Sequence, residues 1–187
     1  MGFWETLTGR RKPVAAKLDA LFALPQAAIT LQTASNFTMT GRGGVCFRGA
    51  EGPAFAQTVS DVVELLDNDD DPDVEQHTDS FGYTWLVAQQ ESMSDLVTDL
   101  HAVNTSLEMQ GFSDALLCST VSFRDPSGRR LALVYLYKQG TFYPFAPTGP
   151  QQRDNLLEVQ IRELLKDEIP VEQEMSRWMA LWDAPGL

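Results

Sequence analysis

Histidine and cysteine, the side chains best suited to act as base, nucleophile or zinc ligand near neutral pH, occur only twice each in this 187-residue chain, and their spacing keeps them apart. Its two histidines, His77 and His101, belong to no HExxH and to no Cys/His cluster, so a structural zinc site is not expected. The two cysteines, Cys46 and Cys118, form no CxxC and read as buried, reduced thiols of a cytosolic protein. A Cys118–His101 nucleophile pair can be drawn, because the helix and strand that carry them are consecutive. Nothing in the spacing supports it, and a packed thiol with a surface imidazole is the expectation. No GxSxG elbow occurs. Gly41-Arg42-Gly43-Gly44 invites a phosphate-loop reading. It lacks both GxxxxGK[ST] and a GxGxxG opening a helix, so a hairpin turn between strands at 37–40 and 45–48 is expected. Asp67, Asp69 and Asp71 match the first three ligand positions of an EF-hand loop. Pro72 then stands where glycine is needed, and Thr78 where the bidentate glutamate belongs. The acidic loop at 67–77 is therefore a solvated linker, with weak divalent-ion binding as the alternative. The many carboxylates offer no identifiable catalytic pair. The expectation is a protein without cofactor, metal or enzymatic activity. An unrecognised small-ligand binder would need a cleft with converging polar groups.

Three surface features are candidates for contact. Arg124, Arg129 and Arg130 cluster at one turn and would seat an acidic partner segment, unless they form a solvated turn. Met175, Trp178, Met179 and Trp182 would stripe a last short helix opened by Pro170, facing either a protein partner or the molecule's own sheet. At the start, Phe3, Trp4 and Leu7 share one helical face and are followed by Arg10, Arg11 and Lys12. This pattern suits a short interfacial anchor making peripheral membrane contact, the alternative being aromatics folded back onto the domain. Met1-Gly2 with Thr6 fits the myristoylation pattern only loosely, given bulky Phe3 and Trp4.

The elements that must position these residues centre on the stretch 115–145. Leu117, Val121 and Phe123 share one face of a strand, and Cys118, Thr120 and Ser122 the other. Asp125-Pro126-Ser127-Gly128 has the residue order of a type I turn. The run 131–137 is apolar on both faces, as in a strand covered on both sides. Gln139-Gly140 turns the chain into a last strand that Pro144 stops, at or ending at the sheet edge. Around this antiparallel meander stand several helices. One begins at Pro13; another spans 25–34 with Ala28, Leu31 and Ile29 inward, although Ile29 and Thr30 leave strand open. A third carries Phe55, Val59, Val62, Val63 and Leu66 as one stripe. After a strand at 81–88, Ser92 caps a helix buried through Leu96, Val97, Leu100, Val103 and Leu107, and Gly111 ends it. Leu157, Ile161, Leu164 and Leu165 mark another. The fold class is α+β: a meander-centred antiparallel sheet with helices packed on it, as a single domain over 13–187 behind an N-terminal segment at 1–12.

A hydrophobic fraction of 43% is ordinary for a globular protein. A net charge of −12 argues against a nucleic-acid binder, which needs a basic face. No apolar run reaches the ~18 residues of a spanning helix. These readings place the protein in the cytoplasm, at the inner face of the membrane if residues 1–12 anchor it.

Four segments carry a family likeness: Met1-Gly2-Phe3-Trp4, KPVAAKLDALFALPQAAITLQT (12–33), TGRGGVCFR (40–48) and RWMALWDAPGL (177–187). With them the chain resembles the bacterial PspA-associated family PspAB. The resemblance implies association with the phage-shock-protein response, in which PspA guards a stressed inner membrane. It implies a protein partner, PspA or another member of its system, and no catalytic residue. The element order also resembles secretion-chaperone-like (YbjN-type) domains, a likeness of fold that does not fix function.

Overall fold

The computed structural model of the chain describes residues 17–67 and 72–187. A 3-10 segment, Leu18–Ala23, leads into α1 (Leu24–Ser35). Strand β1 (Thr38–Arg48), α2 (Pro53–Leu66), β2 (Glu75–Thr78), β3 (Tyr83–Gln89) and α3 (Met93–Met109) follow. The meander is β4 (Leu116–Arg124), β5 (Arg130–Leu136) and β6 (Thr141–Phe145). A small ribbon of β7 (Pro147–Gly149) and β8 (Gln152–Arg153) precedes α4 (Asn155–Leu165). Six strands form one antiparallel sheet in the order β2-β3-β1-β4-β5-β6, with the helices packed on it, so the class is α+β.

One face of the sheet is buried by helices. Val45, Phe47, Leu86, Val121, Phe123 and Leu133 meet the stripes of α1 and α3 there. The stripe expected on α3 is buried residue for residue. Its ends are set by local chemistry. The Ser92 hydroxyl accepts from Asp95 N at 3.1 Å, and Phe112 N and Gly111 N donate back to Leu107 O and Glu108 O, a Schellman stop. Segment 24–35 is a helix, which settles the alternative left open there. It buries Leu24, Ala27 and Leu31, while Ile29 points out.

The glycine turn is not a turn. β1 runs through it as a single strand in the middle of the sheet, paired with β3 and β4. A Cβ on Gly43 would stand 2.8 Å from Thr120 O and 3.2 and 3.3 Å from the Leu96 and Leu100 methyls, so its bare backbone lets α3 lie down on the strand. Gly44 faces the other way, with the Trp85 ring 3.3 Å from where its Cβ would be. Gly41 takes φ +81°, within the register shift that bends β1. The glycines serve close approach and a bulge, as glycine in a strand often does.

Two other differences have comparable causes. A bulge pairs Cys46 with Cys118 but Phe47 with Leu116, so Leu117 changes face and leaves the side shared by Val121 and Phe123. The last helix expected from Pro170 is instead an extended strap with one 3-10 turn, Met175–Arg177. Its first residues are committed to the sheet: Phe142 N donates to Pro170 O at 2.8 Å and Glu172 N to Phe142 O at 2.7 Å. Backbone groups spent on the β6 edge cannot close a helical turn, and the pairing covers that edge. The acidic loop expected over 67–77 ends in β2, which pairs with β3 although all four of its residues are exposed.

Candidate functional site

Among the described residues, no α-helix packs on the second face of the sheet. Cys46, Trp85, Val87, Cys118, Val134 and Tyr143 form its surface, and residues 178–187 of the strap lie across it. The strap is pinned at named points. The Trp178 ring stacks on Tyr143, with centroids 5.9 Å apart and planes at 19°. Its indole N–H donates to Glu172 O at 3.1 Å. Tyr143 OH donates to Met179 O at 2.9 Å, and Arg153 Nη1 to Trp178 O at 2.9 Å. Trp182 packs edge-on against Phe145 at 5.3 Å. Glu172 is buried; burial alone would raise its pKa, but the Glu174 N–H, the Thr141 hydroxyl and Arg177 together hold it below the usual carboxylate range.

Between this strap and the sheet lies a pocket of about 380 Å³. Its floor is Cys46, Cys118 and Leu136, with the Trp85 and Tyr143 rings beside them. Met179 to Ala184 form the roof, and Phe81 and Asp79 stand at the β2–β3 end. Asp79 is a structural carboxylate: it accepts from Phe81 N at 3.0 Å, Tyr83 N at 2.9 Å and the Trp85 indole N–H at 3.0 Å. It thereby closes the β2–β3 hairpin and fixes the Trp85 ring. The order Asp79-Ser80-Phe81-Gly82, with Asp first and Gly fourth, was the signal for this turn in the sequence. Ser80 Oγ bonds Asp183 and ties the roof to the same hairpin. The lining is apolar, aromatic and thiol. Such a surface holds an apolar group by desolvation and ring contact.

The two thiols are directly opposite one another on β1 and β4. Both are free and buried. The hydrogen bond to Cys118, then burial, push the Cys46 thiol far above its ordinary pKa. Burial first of all pushes the Tyr143 phenol up as well. His101 is not part of this arrangement. It rides on α3 against the Phe22 ring, 4.9 Å away, on the helical side of the sheet. The drawn Cys118–His101 pair is therefore separated by the sheet itself.

The expected contact residues are divided by the structure. Trp178 is buried under its own strap, Trp182 is half-buried over the pocket, and Met175 and Met179 are 51% and 62% exposed. Without a helix they form no common stripe. At the β4–β5 turn, Arg129 is spoken for: Nε donates to Asp125 at 2.8 Å, and its guanidinium lies 5.5 Å from the centre of the Phe37 ring. Arg124 and Arg130 face one another across β4 and β5 at the margin of the strap face, Arg124 exposed and Arg130 half-buried. Phe3, Trp4, Leu7, Arg10, Arg11 and Lys12 lie outside the described residues, as do Asp69 and Asp71 of the acidic loop. Among the described residues, no group of three or more His, Cys, Asp or Glu is placed to hold a metal ion, and no helix is long and apolar enough to cross a membrane.

A family model described as PspA associated protein B matches residues 1–186. No curated protein and no solved structure matches the chain.

Proposed function

The chain belongs to the PspA associated protein B family, and from that membership we propose that it is a non-enzymatic, chaperone-like adaptor that binds a helical segment of PspA or of another protein of its system. The observation that carries the reading is the apolar pocket beneath the strap, whose rim exposes Phe81 (64%) and Met179 (62%) beside Trp182. Large exposed apolar side chains around a concave apolar floor are what an anchoring side chain of a partner helix requires. Met179 suits such a rim because its unbranched thioether adapts to the shape it meets. Arg124 and Arg130 stand at the margin of the same face and offer charge for acidic residues flanking that anchor. The place of action would be the cytoplasm, at the inner face of the membrane.

Co-purification tests it. Full-length protein from membrane-stressed cells should retain PspA or a partner from its system, and F81A/M179A should lose most of it while keeping its melting temperature. Failure to retain any such partner, or equal retention by the variant, would overturn the reading. A second reading rests on Phe3, Trp4 and Leu7 followed by three basic residues. Under it the protein contacts the membrane through residues 1–12. Liposome flotation should then fall when those residues are removed; equal flotation would dismiss the anchor.

A further inference from the structure

We propose that Cys46 and Cys118 form an oxidisable dithiol, a modification site that a hydroperoxide closes to an intramolecular, reversible disulfide on the pocket floor. The register carries the argument. The two residues are cross-strand partners on antiparallel β1 and β4, and both side chains belong to the cluster on the strap side. Directly opposed residues of antiparallel strands have Cα atoms about 4.5–5.5 Å apart. Disulfides span Cα separations of about 4.4–6.8 Å, so cross-strand partners stand within the reach of the bond. The separation of 72 positions in sequence, which made the pair look unrelated, is cancelled by the sheet.

Access is provided by the pocket. Both thiols line it, and its volume of about 380 Å³ has room for roughly a dozen waters at ~30 Å³ each, so a peroxide-sized molecule fits beside the sulfurs. The apolar surroundings favour a neutral disulfide over ionised thiolates. Both sulfurs line the pocket, so either is placed to attack. The thiolate of one attacks the distal peroxide oxygen, the O–O bond breaks, and the alkoxide takes a proton and leaves as alcohol, or as water when hydrogen peroxide is the oxidant. The resulting sulfenic acid is then attacked by the other thiol, the S–S bond forms, and water leaves with the thiol proton. The dithiol loses two electrons and the peroxide gains them. In a reducing compartment such a bond is transient, and low-molecular-weight thiols reopen it.

The test uses native full-length protein treated with hydrogen peroxide, then alkylated after denaturation and digested. A Cys46–Cys118 linked peptide, a whole-chain mass lower by two hydrogens and the loss of both titratable thiols are expected, all reversed by dithiothreitol. In C46S and in C118S, where no partner thiol can close the disulfide, dimedone should trap a sulfenic acid on the cysteine that remains. Wild-type protein that keeps both thiols alkylatable, or that gives only intermolecular disulfides or independent sulfinic acids, overturns the proposal whatever the variants do.

Discussion

Replacing Arg153 by methionine should cost this fold more than any other single removal of a surface-reaching charge. The Glu158 side chain is only 2% exposed and that of Arg153 18%. Arg153 Nε donates to both Glu158 oxygens, at 2.8 and 3.0 Å, and Nη1 donates to Trp178 O in the strap. The guanidinium also lies 4.9 Å from the centre of the Phe145 ring. Without it, the Glu158 carboxylate keeps only the Ala146 N–H at 2.8 Å. Removing one partner of a buried pair leaves an uncompensated charge and costs about 3–5 kcal/mol. With m of about 2 kcal/mol/M in urea, the midpoint should fall by about 2 M at unchanged m. Tryptophan fluorescence follows it. The double variant R153M/E158L removes both charges and leaves two neutral backbone groups unpaired, the Ala146 N–H and Trp178 O, about 1–3 kcal/mol each. The Trp178 O loss is shared with R153M, and no buried charge remains, so the double variant should be more stable than R153M. A loss under ~1 kcal/mol for R153M would be the value of a solvated pair and would refute the reasoning, as would a double variant no better than the single.

Gly43→Ala should destabilise by about 1–3 kcal/mol through overpacking against Thr120, Leu96 and Leu100, whereas Gly49→Ala, which meets nothing within 4 Å, should leave the urea midpoint unchanged. Tyr135→Phe should raise stability by about 1 kcal/mol, because the phenol hydroxyl is buried without a hydrogen-bond partner among the described residues. Burial first of all pushes the Tyr135 pKa up to about 12, above the ~10 of the unfolded chain, so the folded state holds a proton that the unfolded state releases. Stability is therefore lost as pH rises through that window, and Y135F should lessen the slope of melting temperature there without abolishing it, since Tyr137 and Tyr143 are raised too. Asp125 behaves oppositely: desolvation alone would raise it, but hydrogen bonds from Arg129 and Ser127 hold it at about 2. Its contribution is present above the unfolded value of ~3.9 and is lost as pH falls through the folded one, so D125A should lower the melting temperature at neutral pH and converge on wild type near pH 2.

Helices α2, α3 and α4 and the meander were legible because their signals are local, whereas the helix start expected at Pro13 lies outside the described residues. The α3 stripe, its Ser92 cap and its Gly111 stop lie within a few turns of one another, and the 125–128 turn closes on its own Asp125 side chain. Family likeness was legible from contiguous segments near the two ends. What the glycines of β1 are for was not, because the atoms that forbid a side chain at Gly43 belong to β4 and α3. The same holds for the strap. Met175, Trp178, Met179 and Trp182 repeat at helical spacing, yet the backbone leading into them pairs with β6, and each tryptophan finds an aromatic partner on the sheet. By itself the sequence determined the start, stop and apolar face of α3 and the turn that joins β4 to β5, since period and capping act between near neighbours. Only the tertiary structure decided that the face opposite α1 and α3 is roofed by residues 178–187 and that Cys46 and Cys118 meet beneath it. Strand register brings together groups that no spacing along the chain relates.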